Sequence, residues 1–192
     1  MKTKLLYISI ISLLFIIQAC KRNESPCSKY TSKSYKFLLA DSTKAQIPYT
    51  GNETLMFISN LGDTAILTGQ GKNDYILNST VNVGNDPACP KYDDYSFERE
   101  EYHYRSNDDA ITEITLTINI SKDKFINFNI IVNGSNSGIY LNEQNNHTDS
   151  ILLNNKYYSG YYLYGSNKIL YNENIGVLSI SINNGKIWKI KL

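Results

Sequence analysis

Between Ile114 and Val132 apolar and polar positions take turns along the chain. Ile114, Leu116, Ile118 and Ile120 alternate with Thr115, Thr117 and Asn119; after Lys122-Asp123-Lys124 the pattern resumes with Ile126, Phe128, Ile130 and Val132. Successive side chains of a strand point to opposite faces, so each run predicts a strand with one face in a core, and the two together an antiparallel hairpin. Shorter runs of the same kind predict strands at 35–40, 54–59, 64–68, 75–83, 95–104, 139–142, 151–153, 157–164, 168–171, 177–182 and 186–192. Turn chemistry separates them, at Gly51-Asn52, Leu61-Gly62-Asp63, Gly71-Lys72-Asn73, Asn107-Asp108-Asp109, Asn154-Asn155, Gly165-Ser166-Asn167 and Asn183-Asn184-Gly185. Gly134-Ser135-Asn136-Ser137-Gly138 reads as a loop, and beyond residue 20 no window carries a helical stripe of ten residues. The expected fold is all-β: an antiparallel meander, closed as an up-and-down barrel or open as a half-barrel, with a two-sheet β-sandwich as the alternative. One longer irregular connection is expected at 84–92, where Pro87 and Pro90 flank Cys89 and suit a surface loop better than a central strand.

The N-terminus follows a different pattern. Lys2 and Lys4 precede an apolar run from Leu5 to Ile17, which at about 1.5 Å per residue falls short of the roughly 30 Å of a bilayer core. A charged start, a short apolar run and a small residue before the cut describe an export signal. With Ile17-Gln18-Ala19-Cys20 the segment resembles the lipobox of small exported bacterial lipoproteins. The resemblance implies cleavage before Cys20, a diacylglycerol thioether on its sulfur and an acyl chain such as palmitate on the new N-terminus; an ordinary signal peptide cut after Ala19 is the alternative. It further implies residues 1–19 as signal peptide, 20–34 as lipidated polar linker and 35–192 as a single all-β domain. Lys21 stands where an Asp would retain a lipoprotein in the inner membrane, so the resemblance points to the outer membrane and, given the basic Lys21-Arg22, to its periplasmic face. The stretch from Tyr171 to Ile190, with Gly176, Gly185 and Trp188, resembles the closing hairpin of such lipoproteins and implies a shared fold.

Charge and cysteine usage sharpen this picture. Without residues 1–19 the chain holds 17 Lys and Arg against 18 Asp and Glu, which argues against an electrostatic nucleic-acid binder. At this length roughly 70% of the unfolded surface is buried on folding, enough for one core. Setting Cys20 aside leaves Cys27 and Cys89, which in an oxidising compartment predict one disulfide, with two free thiols as the alternative.

Candidate chemistry is sparse. His103 and His147 have no second ligand at metal spacing, so neither a metal site nor a cofactor is expected, and cross-strand pairing accounts for His103. No nucleophile elbow or phosphate loop is present. Asp93, Asp94, Glu98, Glu100, Glu101, Asp108 and Asp109 form the one acidic cluster; on a strand Glu98 and Glu100 share a face, and a solvated edge is the expected reading. Asp63-Thr64-Ala65 and Asp149-Ser150-Ile151 look like an O-glycosylation signal of exported bacterial proteins, and otherwise read as turn or strand-start residues. The densest feature is Tyr157, Tyr158, Tyr161, Tyr162 and Tyr164, with Tyr171 nearby, whose flat apolar rings with polar rims suit a glycan or protein partner, or simply cover a sheet. The expectation is therefore a membrane-anchored, non-enzymatic binding or scaffolding module of the bacterial cell envelope, with a protein or glycan partner and no nucleic acid. The alternatives are a carrier of a lipid or other apolar ligand in the barrel, and, less favoured, a glycan-acting hydrolase using Glu98 and Glu100.

Overall fold

The computed structural model describes residues 30–106, 110–141, 148–182 and 185–192. The expected signal segment, Cys20, Cys27, Asp108, Asp109 and His147 lie outside them. Among the described residues the strands are β1 (Ser34–Phe37), β2 (Thr54–Ser59), β3 (Thr64–Asn82), β4 (Tyr92–Arg105), β5 (Glu113–Ile120), β6 (Ile126–Val132), β7 (Ser135–Tyr140), β8 (Thr148–Leu153), β9 (Lys156–Gly165), β10 (Lys168–Asn172), β11 (Gly176–Ser181) and β12 (Ile187–Ile190), with one short helix, α1 (Asp41–Lys44). The chain divides into two compact units. The larger comprises Ser34–Ser79 and Asp94–Leu192, the smaller Met1–Lys33 and Thr80–Asp93.

The larger unit contains the barrel. From β2 each strand pairs with the next through β7, then β9 to β12 continue the path, and β12 returns to β2. This makes a closed, ten-strand antiparallel meander, so the up-and-down barrel holds and the half-barrel and sandwich alternatives do not. β8 stands off the ring as a hairpin partner of β9. β1 lies parallel to β4, with Tyr35 opposite Tyr95 and Phe37 opposite Phe97, a departure from the purely antiparallel expectation.

The period-two runs become what they predict. Ile114, Leu116 and Ile118 stand opposite Val132, Ile130 and Phe128 and all six are buried, whereas on the other face Asn127 Nδ2 donates to Asn119 Oδ1 at 3.0 Å. Two readings of turns need correction. Only Asn133 and Gly134 form the β6–β7 turn, with φ of 50° and 76°, and Ser135 already pairs with Val132. Both residues take the positive φ of a two-residue hairpin turn, which leaves Ser135–Gly138 free to continue as strand. Gly71-Lys72-Asn73, expected to separate two strands, lies inside β3, where Gly71 with φ of 112° marks an irregularity in one continuous strand.

Glycine is required at this point because two backbones cross. Gly71 N–H donates to Gly51 O at 2.8 Å, and a Cβ built on Gly69 would lie 2.2 Å from the Gly51 carbonyl oxygen. Side chains fill the barrel: Trp188, Tyr104, Tyr171, Phe57 and Phe128 are all fully buried. The segment after β1 adds Leu39, Ile47 and Tyr49 to the same core. Tyr49 packs edge-on against Tyr104 at 5.6 Å and its hydroxyl accepts from Val177 N–H at 2.7 Å, while the Tyr171 hydroxyl donates to Gln46 O at 2.9 Å. In the smaller unit the 84–92 connection is a surface loop, as expected, exposed at 85–88 and 90–92, with Cys89 alone buried.

Gly69→Ala is expected to lower stability by about 1–3 kcal/mol, because backbone atoms cannot yield as side-chain tips do. Urea unfolding checks this; a midpoint unchanged from the parent contradicts the crossing.

Candidate functional site

Strand alternation sorts the acidic cluster of β4 into two faces. Glu98, Glu100, Tyr102 and Tyr104 share one face and Arg99, Glu101 and His103 the other. The solvated-edge reading fails for the first pair. β4 is not an edge along this stretch, since Arg99 to Arg105 pair with β5, and Glu100 is 1% exposed. On the second face Arg99 pairs with Glu101, whose other oxygen stands 3.3 Å from His103 Nε2, and His103 Nδ1 lies 3.2 Å from Thr115 Oγ1, its cross-strand partner.

Four donors meet the two inward carboxylates. Lys44 Nζ reaches Glu98 Oε1 at 2.7 Å and Glu100 Oε1 at 3.5 Å; Lys72 Nζ reaches Glu100 Oε1 at 3.1 Å. Leu39 N–H donates to Glu98 Oε2 at 2.8 Å and the Tyr102 hydroxyl to Glu100 Oε2 at 2.9 Å. Burial, the largest influence on Glu98, pushes its carboxyl up, but the Lys44 and Leu39 hydrogen bonds together outweigh it and hold the group below its ordinary value. The bond to Glu98 in turn raises Lys44 against the opposing effect of burial. Burial and the bond to Glu100 push Tyr102 well above the usual phenol range. An acid–base catalyst needs a carboxyl oxygen within reach of its substrate. Here every oxygen of the pair already accepts from the protein, and the network ties α1 and β3 to β4.

The tyrosine-rich segment is split by its strand. Tyr161 is buried, its ring 5.7 Å from that of Tyr171, and burial raises its phenol. Tyr157 and Tyr164 are exposed. Tyr158 and Tyr162 are half-buried, with Lys156 and Lys168 over their rings at 5.3 and 3.9 Å, and the Tyr162 hydroxyl donates to Asp149 at 2.8 Å. Its phenol is pushed up to about 12 by burial and that carboxylate. Asp149 is thus used within the fold, as is Asp63, which accepts from Ser59 and Lys186.

A second aromatic feature escaped the reading of the sequence. Parallel pairing of β1 with β4 stacks Tyr35 on Tyr95 at 5.1 Å and Phe37 on Phe97 at 5.4 Å, and Tyr95 lies 6.2 Å from Phe97 along β4. All four rings lie within 20° of parallel in these pairs, and Tyr35 is 39% exposed. The signal was present as two Tyr-x-Phe triplets, 35–37 and 95–97, at strand period. Two cavities open on the surface, the first mainly polar and the second mainly apolar in its lining. One of about 260 Å³ includes Gln70, His103, Arg105 and Glu113; another of about 190 Å³ includes Ser159, Tyr161, Asn172 and Glu173. Among the described residues no group of three His, Cys, Asp or Glu side chains could hold a metal ion. No family model matches the chain, and neither a curated protein nor a solved structure shows significant similarity to it.

Lys44→Met combined with Lys72→Met leaves Glu100 buried without its cations and is expected to cost about 3–5 kcal/mol, measured by chemical denaturation. Because Glu98 titrates lower in the fold than its ordinary 4.5, its stabilisation is complete above that pH and is lost as pH falls towards the folded value. Acid titration of the Glu98→Gln variant is expected to show a shallower loss than the parent over that range.

Proposed function

We propose that this chain is a lipoprotein of the bacterial cell envelope, anchored through Cys20 to the outer membrane on its periplasmic side, and that it acts without catalysis as a binding or scaffolding module. The observation that carries the reading is the filled barrel. Trp188, Tyr104, Tyr171, Phe57 and Phe128 occupy the interior, and the paired carboxylates spend their oxygens on Lys44, Lys72, Leu39 and Tyr102. A carrier of an apolar ligand calls for an apolar chamber, and a glycan hydrolase for a carboxyl pair open to substrate. What the barrel offers to a partner is its outside, where Tyr35, Tyr157 and Tyr164 are exposed. A Cys27–Cys89 disulfide belongs to the same reading: Cys89 has a partner and is not a titrating thiol, while Cys27 lies outside the described residues.

Palmitate supplied to cells making the full chain is expected to label it, with Cys20→Ser abolishing both the label and membrane retention; an unlabelled chain overturns the anchor. Native mass spectrometry of Lys21 to Leu192, exported to an oxidising compartment, is expected to show a bare protein lighter by two hydrogens. A co-purifying lipid would favour the carrier reading instead.

A further inference from the structure

We infer that the groove between β3 and the β4–β5 pair, on the outer wall of the barrel, binds a free α-amino acid, with Arg105 taking its carboxylate and Glu113 its ammonium. The inference goes beyond the reading above and depends on neither the anchor nor the exposed tyrosines.

The groove is the cavity of about 260 Å³ lined by Gln70, Asn73, His103, Arg105, Glu113 and Thr115, all of them in the larger unit. The first observation is how β3 contributes to it. Residues three apart on a regular strand point to opposite faces, yet Gln70 and Asn73 line the same cavity. Gly71, at φ of 112°, stands between them and shifts the alternation by one residue. The inner face carries the same shift: Leu67 is fully buried, and Lys72, five residues on, reaches the buried Glu100. An irregularity of this kind re-aims side chains. Here it brings two amides from one strand to the same side as the outward residues of β4 and β5.

The second observation is a charge pair that stays open. Arg105 and Glu113 stand directly opposite each other across the β4–β5 ladder. Side chains so placed, with Cβ atoms about 4.5–5.5 Å apart, are close enough to pair. Among the described residues neither the Arg105 guanidinium nor the Glu113 carboxylate has an ion pair or hydrogen bond, whereas the neighbouring charges of that face close on one another, Arg99 with Glu101 and Glu101 with His103. The backbone beneath the open pair is held in place. Ser106 N–H donates to Thr112 O at 2.9 Å just beyond Arg105, and Glu113 N–H donates to Asn133 Oδ1 at 3.3 Å. His103 adds a wall whose ring nitrogens already face Thr115 Oγ1 and Glu101.

This lining selects a class of ligand. An anion alone would meet Glu113 beside Arg105, a cation alone would meet Arg105 beside Glu113, and a neutral sugar would leave both charges unused. A zwitterion answers both, its carboxylate accepting from the guanidinium and its ammonium donating to the carboxylate. Because the two side chains start from facing positions, the ligand's charges must lie only a few bonds apart, as they do in an α-amino acid. The volume is below the roughly 300–1,000 Å³ of pockets that hold drug-sized molecules, which suits a ligand this small. Gln70 Nε2 donates to Thr68 O at 3.1 Å, which leaves its Oε1 to accept from the remainder of the ligand.

The test is equilibrium dialysis of the full chain as cells make it, extracted in detergent, against the twenty standard L-amino acids in equal amounts. At least one is expected to be retained by the protein. Its N-acetyl derivative, which lacks the ammonium, and its methyl ester, which lacks the carboxylate, are each expected to bind at least about tenfold more weakly, as is the amino acid itself to Arg105→Gln and to Glu113→Gln. Retention of no amino acid overturns the inference. Undiminished binding of the N-acetyl derivative makes the groove an anion site and undiminished binding of the ester a cation site, and either result overturns it as well. Retention unchanged in both variants places the ligand elsewhere and does the same. The two derivatives are compared on the unaltered protein, so that arm decides even if a variant fails to fold.

Discussion

A meandering sheet of antiparallel strands closes only if its last strand finds its first, and here Ile187–Ile190 lies along Phe57 to Ser59 with Trp188 opposite Ser59. That pairing leaves the ring without exposed edges, which a half-barrel would present to other chains. It also commits one face of ten strands to a common interior, which side chains line. Trp188, Tyr104, Tyr171, Phe57 and Phe128 supply the volume, and the stretch bearing Leu39, Ile47 and Tyr49 completes it. The close crossing of Gly51 with Gly69 and Gly71 follows from the same demand, since the strands reach their partners there only with backbone against backbone.

Closure also explains the charges on β4. Once Arg99 to Arg105 are paired with β5, the alternation of the strand sends Glu100 inward, where an unpaired carboxylate is costly. Lys44 on α1 and Lys72 on β3 answer it, with Glu98 and Tyr102 completing the network. In place, the acidic cluster that stands out in the sequence ties the segment after β1 to the barrel wall.

Aromatic residues divide along similar lines. Tyr161 and Tyr171 serve the core, and Tyr158 and Tyr162 carry lysines over their rings. The Tyr-Phe stack of β1 and β4 stays at the surface because β1 joins the outside of the ring, parallel to β4, and nothing among the described strands lies beyond it.

Sequence alone determined the strands whose cause is local. The alternation from Ile114 to Val132 dictates which face is buried whatever the partner; Gly134 accepts positive φ because it has no Cβ, and Asn133, Asn154 and Asn155 because their short polar side chains tolerate it. Tertiary structure alone decided what depends on pairing across long separations: that β12 meets β2, that β1 lies parallel to a strand sixty residues away, that Gly71 bends a strand instead of ending it, and that Glu100 faces lysines instead of water. The physical reason is that strand periodicity tells which residues share a face but carries no record of which strand lies alongside. The chemistry of a side chain such as Glu98 or Tyr35 is set by that neighbour.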